Sequence, residues 1–164
     1  MVVKIFDPER GDIDSDLRHV FDYWESIRGN NPFPAWTAFD WMNISMKIIP
    51  MCTVVDVVGP PLNFIYRFWG TSRTNIQGVD LTGRSIHEVK PEELSQKSFG
   101  EYLMVFETGK PIYFETIESD RVNGSQSMYK FLRLPFGGET NQVRAIFTAS
   151  SLDWLAIKKV HDIY

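Results

Sequence analysis

An α+β domain is the fold class this sequence predicts, and three observations predict it. A helical stripe opens the chain, two strand-like runs follow it, and three more strand-like runs come only after a long helical stretch. Strands gathered into two blocks with helices between them build an antiparallel sheet with helices packed on it, not a parallel βαβ alternation. At 164 residues and 43% apolar content the chain fits one domain with a real core. It contains no repeat, low-complexity tract or linker that would divide it.

Taken in order, residues 1–13 read as a flexible arm. A helix then spans Ser15 to Arg28, capped by Asp14 or Ser15, with Leu17, Val20, Phe21, Trp24 and Ile27 recurring at helical spacing. Gly29, followed by Asn30-Asn31-Pro32, ends it. Such an apolar stripe must dock, either on the chain's own sheet or on another subunit. With the helix, a proline- and tryptophan-rich segment running through Pro32-Phe33-Pro34-Ala35-Trp36 and Phe39-Asp40-Trp41 completes a region of residues 14–50.

The core, residues 51–151, begins with strands at Cys52–Val58 and Asn63–Trp69, joined by Gly59-Pro60-Pro61. From Gly70 to Val89 short polar pieces punctuated by glycine replace the strand signal. A firmer helix starts at Pro91, with Leu94, Phe99, Tyr102, Leu103 and Phe106 on its apolar side, and stops at Gly109-Lys110-Pro111. Three strands, Ile112–Asp120, Gln126–Pro135 and Gln142–Ser150, complete an antiparallel meander. Residues 152–164 form a tail, expected to be a short exit helix.

Composition narrows the function classes. The formal charge of −4 is spread along the chain, with no basic stripe of the kind that binds nucleic acid. Cys52 is the single cysteine, so no internal disulfide forms, and its apolar setting suits a buried, inert thiol. No signal peptide opens the chain and no apolar run is long enough for a membrane span. A cytoplasmic protein is expected. There is no nucleophile elbow, phosphate loop, zinc-protease helix or dinucleotide fingerprint, and three scattered histidines make no metal set. Glu115 and Glu118 fall at odd separation on one strand, on opposite faces, and cannot act as a carboxylate pair. No enzyme is expected.

The element order, with Tyr66-Arg67-Phe68-Trp69-Gly70-Thr71 and Asp80-Leu81-Thr82-Gly83-Arg84, resembles the PAS superfamily. With Tyr23-Trp24 and Phe39-Asp40 as well, it looks most like the compact bacterial stand-alone PAS proteins catalogued as the fifth PAS family. The motifs run from about Tyr23 to Val89; beyond Pro91 the resemblance rests on element order. It implies a five-stranded antiparallel sheet with helices on one face and an N-terminal amphipathic helix. It also implies a sensory domain that binds a small ligand or a protein partner and signals by altered packing or dimerisation. A homodimer through Leu17, Phe21 and Trp24 fits that role, as does packing of this stripe on its own sheet. Asp153 corresponds to the aspartate common at the exit of a PAS sheet, although Trp154-Leu155 departs from the usual pattern. No output segment follows within this sequence, so output through an unknown signalling partner, or through a part of the protein beyond this sequence, is expected.

Simple alternation puts Phe64, Tyr66 and Phe68 on one strand face, opposite Arg67. With Phe99, Leu103 and Phe106 from the long helix, and Ala145 and Phe147 from the last strand, they form the expected ligand pocket or, equally, plain core. Arg67 either pairs with Asp56 on the neighbouring strand, reaches solvent, or contacts an anion. No cofactor is required. Haem is not expected because the long helix lacks histidine, His87 being the one position that could supply a ligand. Covalent flavin is excluded because Thr71–Gln77 has no cysteine, while non-covalent flavin stays open. Two other readings stand beside this one. The first is an NTF2-like pocket protein with isomerase or dehydratase chemistry, disfavoured by the long helix between strands two and three. The second is a protein-interaction module with no ligand, favoured by the tryptophans near the N-terminus.

Overall fold

The computed structural model describes residues 2–9, 11–119 and 126–153. Six strands form one sheet: β1 (Val2–Phe6), β2 (Thr53–Val58), β3 (Asn63–Trp69), β4 (Ile112–Ser119), β5 (Gln126–Gly137) and β6 (Val143–Asp153). Their order across the sheet is β1-β4-β5-β6-β2-β3, and every neighbouring pair is antiparallel. The helices are α1 (Ser15–Arg28), α2 (Thr71–Gln77) and α3 (Glu92–Thr108). The predicted α+β class is the observed one, and five of the six strands are those the sequence predicts.

Two expectations change at the edges of the domain. The arm expected over residues 1–13 includes β1, which pairs with β4 through Ile5 opposite Phe114 and Phe6 opposite Tyr113. A five-residue strand whose partner lies more than a hundred positions away leaves almost no local signal. At the other end β6 runs on to Asp153, opposite Met128 of β5, past the expected boundary at 151. Leu152 and Asp153, expected to open an exit helix over residues 152–164, are strand instead, and the rest of that expectation falls on residues 154–164, outside the described residues.

The sheet is covered on both faces: α2 and α3 lie on one, as expected, and the N-terminal helix lies on the other. The Asp14 carboxylate accepts from the Asp16 amide at 3.0 Å to start α1, and Gly29, at φ 57°, ends it. The α1 stripe lies on the sheet face formed by Tyr113, Leu132, Leu134, Phe136, Ala145 and Phe147. Leu17, Phe21 and Trp24 are 0%, 4% and 2% exposed in that contact, so the alternative of a dimer interface through these three side chains is corrected to packing on the chain's own sheet. Trp24 Nε1 donates to the Pro135 carbonyl at 2.9 Å. Trp24→Phe removes that bond and part of the ring, and should cost about 1–3 kcal/mol, read as a lower urea midpoint at unchanged slope.

The proline- and tryptophan-rich segment continues the same cover as three short 3₁₀ turns. Trp36 stacks on Phe39 at 4.7 Å, Phe39 meets Phe147 at 5.1 Å, and Trp41 meets Phe68 at 4.7 Å. On the opposite face α3 packs over Val55, Phe64, Tyr66, Val143 and Ile146 with Tyr102 and Val105, and Leu81, Ile86 and Val89 fill the space before it.

The Asp80–Arg84 turn closes the outer edge of β3. The Asp80 carboxylate accepts from the Thr82 amide at 2.8 Å and its hydroxyl at 2.7 Å, which holds the carboxyl below its ordinary pKa. Gly83, at φ +80°, lets the chain turn so that its amide donates to the Tyr66 carbonyl at 2.7 Å, while the Tyr66 amide donates to the Arg84 carbonyl at 2.9 Å. The motif thus protects an edge strand from unwanted pairing.

Candidate functional site

Beneath α3, between that helix, α2 and the sheet, lies a small, partly open cavity of about 20 Å³. That is room for a water-sized group. The sheet contributes Thr53, Tyr66, Trp69, Phe131, Arg133 and Thr148; the helices contribute Arg73, Leu94, Ser98 and Tyr102; Met51 and Val89 complete the lining. The lining carries two arginines and no carboxylate.

Register explains why Trp69 faces this cavity. In β3, Phe68 lies opposite Val54 but Tyr66 lies opposite Val55, so Arg67 is an extra residue in a bulge. The bulge switches the alternation: Phe64, Tyr66 and Trp69 share the α3 face, while Phe68 turns to the α1 face. Phe68 is therefore corrected from the predicted pocket to the opposite core. Ala145 and Phe147 are corrected in the same way, since both pack with α1; it is Thr148 that lines the cavity and Ile146 that packs under α3.

On α3 the buried residues are Ser95, Ser98, Tyr102 and Val105. Phe99 and Phe106 are half-buried at the margin of the α3-side core, Phe99 meeting Phe64 at 5.3 Å. Leu103 is half-buried and belongs to neither face's core. Of the eight predicted lining residues, Tyr66 alone lines the cavity; Phe64 is core just beside it. The β3 face opposite Arg67 is the cavity side at Phe64 and Tyr66, but across the sheet the same side bears Arg133 of β5. A guanidinium inside the apolar run Phe131-Leu132-Arg133-Leu134 was the available signal, the same one that drew attention to Arg67.

The three arginines differ in how they are satisfied. Arg67 pairs with Asp56 through Nη2 and through Nε at 3.1 Å, and lies over the Trp36 ring at 5.0 Å. Its side chain is 42% exposed, so Arg67→Ala should cost less than about 1 kcal/mol in a urea titration. Arg133 is buried, with Nη2 and Nε on Glu101 Oε2 at 2.7 and 3.3 Å and Nη1 on Thr148 Oγ1 at 2.8 Å. Burial opposes its charge, but Tyr102, whose ring centroid is 4.2 Å away, and Glu101 keep its pKa above the ordinary guanidinium value.

Arg73 is the exception. It is 7% exposed, and its Nε and Nη1 have no hydrogen-bond partner. Its guanidinium is surrounded by the rings of Trp69, Tyr129 and Phe131, with centroids at 5.5–5.7 Å. Trp69 Nε1, also buried in the lining, has no partner either. Burial holds the Tyr66 phenol well above its ordinary pKa, so it stays a neutral donor at physiological pH. The lining therefore holds two cations and no anion, while two buried acceptors outside it, Gln77 Oε1 and Glu101 Oε1, also lack a hydrogen-bond partner.

Other candidates fall outside the cavity. His87 is exposed, stacked against Phe99 at 5.4 Å, and does not line it. Cys52 is fully buried, its Sγ donating to the Ile48 carbonyl at 3.3 Å, and burial pushes its thiol pKa up, in accord with an inert thiol. A cavity of about 20 Å³ does not fit a porphyrin or an isoalloxazine ring. Among the described residues no His, Cys, Asp and Glu side chains gather as a metal site, and no helix is long and apolar enough to cross a membrane.

No protein-family model matches the chain, and no curated protein matches it. Solved structures do. A structure of the Vibrio cholerae VqmA dimer in the absence of target DNA shares 12% identity at a TM-score of 0.51, covering 62% of this chain and 45% of that one. VqmA bound to DPO shares 13% identity at a TM-score of 0.51, covering 63% of this chain and 52% of that one. A light-oxygen-voltage domain from work on its mechanism with a flavin analogue shares 12% identity at a TM-score of 0.49, covering 67% and 82%. The chain thus spans about half the length of the VqmA chains that it resembles. At these identities the likeness concerns the fold, and the fold is of the PAS type.

Proposed function

We propose that this protein is a PAS-type sensory module, of the compact bacterial kind, which holds a small polar ligand beneath α3 and passes the occupied state to a partner protein. The observation that carries the reading is the cavity itself: a small, partly open space at the junction of α2, α3 and the sheet, whose lining includes the unpartnered donors of Arg73 and Trp69. Buried polar groups are almost always satisfied by protein, water or ligand, so such a lining marks a place built for something to bind. VqmA, similar in fold, is described bound to DPO and in a ligand–DNA complex, which is in keeping with ligand binding on this scaffold. The output runs through movement of α2 and α3, the elements a ligand would touch, in a protein working in the cytoplasm.

A specific observation favours a second reading, an interaction module without ligand. Met42 and Met46 are 89% and 86% exposed beside the tryptophan-rich segment, an adaptable apolar surface for a protein partner. Native purification followed by mass spectrometry of heat-released small molecules separates the two. A stoichiometric metabolite that also raises the melting temperature supports the sensor. An empty protein whose melting is unchanged across a metabolite panel supports the interaction module.

A further inference from the structure

We infer that the ligand of this cavity is a small carboxylate, and that Arg73 is the residue that takes its charge. The inference rests on the ligand-binding reading and adds the chemical class. Arg133 and Arg73 line the same small space, yet only Arg133 is neutralised, by Glu101. Arg73 is more than nine-tenths buried and two of its guanidinium nitrogens donate to nothing. The three rings around it attract the cation through their faces, but a ring face does not replace in-plane hydrogen-bond acceptors.

A carboxylate supplies what is missing. Its two oxygens match the guanidinium fork, and its charge offsets a cation removed from water. It also accepts from donors already in the lining, the Trp69 indole and the neutral Tyr66 hydroxyl. A neutral ligand would leave the Arg73 charge uncompensated, and because the cavity as it stands has room for about one water-sized group, a carboxylate enters only as α2 and α3 give way. Lys97, whose Nζ lies 3.9 Å from Glu101, shares the carboxylate that already pairs with Arg133, and among the described residues no carboxylate pairs with Arg73.

The test uses the full chain at constant ionic strength, titrated with sodium formate, acetate and pyruvate, and separately with formamide, acetamide and pyruvamide. The readout is the indole Nε1–H resonance of Trp69, assigned by its loss in Trp69→Phe, together with the melting temperature. Saturable shifts are expected with at least one carboxylate and with none of the amides. Arg73→Met should weaken that binding at least tenfold, and Arg73→Lys, which keeps the charge without the fork, should fall between. Ligand-free Arg73→Met should melt no lower than the wild type, because it sheds an unneutralised buried charge. Saturation by the amides alone would overturn the anion assignment and leave ligand binding intact. Failure of all three carboxylates, with Arg73→Met strongly destabilised, would show Arg73 to be a purely structural cation. A natively purified protein carrying no small molecule, and indifferent to every probe, would overturn the wider reading as well.

Discussion

Gly70→Ala is expected to unfold or nearly unfold the domain, losing more than about 3 kcal/mol. The cause is space, not backbone freedom. Gly70 has φ −62° and ψ 148°, an extended conformation open to any residue. A Cβ there would lie 2.1 Å from the Pro50 carbonyl oxygen, 2.5 Å from its carbon and 2.9 Å from the Cys52 oxygen. All three are backbone atoms, so no side chain can rotate out of the way. The same approach lets the Gly70 amide donate to the Cys52 carbonyl at 2.9 Å, tying the β3–α2 junction to the chain entering β2. Loss of this contact would also move α2 and with it Arg73. Gly100→Ala on the exposed side of α3, where no atom stands within 4 Å, is the control. It should gain about 0.5–1 kcal/mol by restricting the unfolded chain. Thermal unfolding followed by circular dichroism reads both.

Glu101→Ala is expected to cost about 3–5 kcal/mol, because it strands the Arg133 charge inside the protein. The Arg133 and Glu101 side chains are 6% and 14% exposed, so water cannot take over the lost contact. Thr148 Oγ1 would remain as an acceptor for Nη1, but it carries no charge. Removing both partners, as Arg133→Met with Glu101→Leu, should cost far less than Glu101→Ala alone, since the penalty lies in the unpaired ion more than in the lost attraction. A urea titration of the two variants gives the comparison. Equal losses would mean that the pair supports the fold mainly by its shape.

Most of the fold was legible because its signals are local. The α1 stripe, its Asp14 cap and Gly29 set both ends of that helix at the residues observed. The short turns after β2 and before β6 separated strands rich in β-branched and aromatic residues. β1 was missed because its evidence is the distant β4, not its own five residues. The site was harder to read for two physical reasons. A one-residue bulge at Arg67 reverses which side chains face the cavity, so alternation counted from Phe64 placed Phe68 correctly relative to Tyr66 only for an unbroken strand. Both sheet faces are also buried, so apolar character at Ala145 and Phe147 could not distinguish the α1 side from the α3 side.

Charge offered the better clue. Arg67, singled out in the sequence, forms a surface pair with Asp56, while Arg73 and Arg133 are enclosed with the aromatic residues. The surroundings of Arg73 come from α2, β3 and β5, elements brought together by the crossing through α2 and α3. No spacing rule joins them along the chain.

The central claim, that the cavity beneath α3 is a ligand site, is tested most directly by a crystal structure of the natively purified protein, with acetate or pyruvate added if no ligand is carried through. The expected result is a small carboxylate within hydrogen-bonding distance of the Arg73 guanidinium and in contact with Tyr66 or Trp69. A cavity holding only water, or closed by protein side chains with Arg73 turned to solvent, would contradict it.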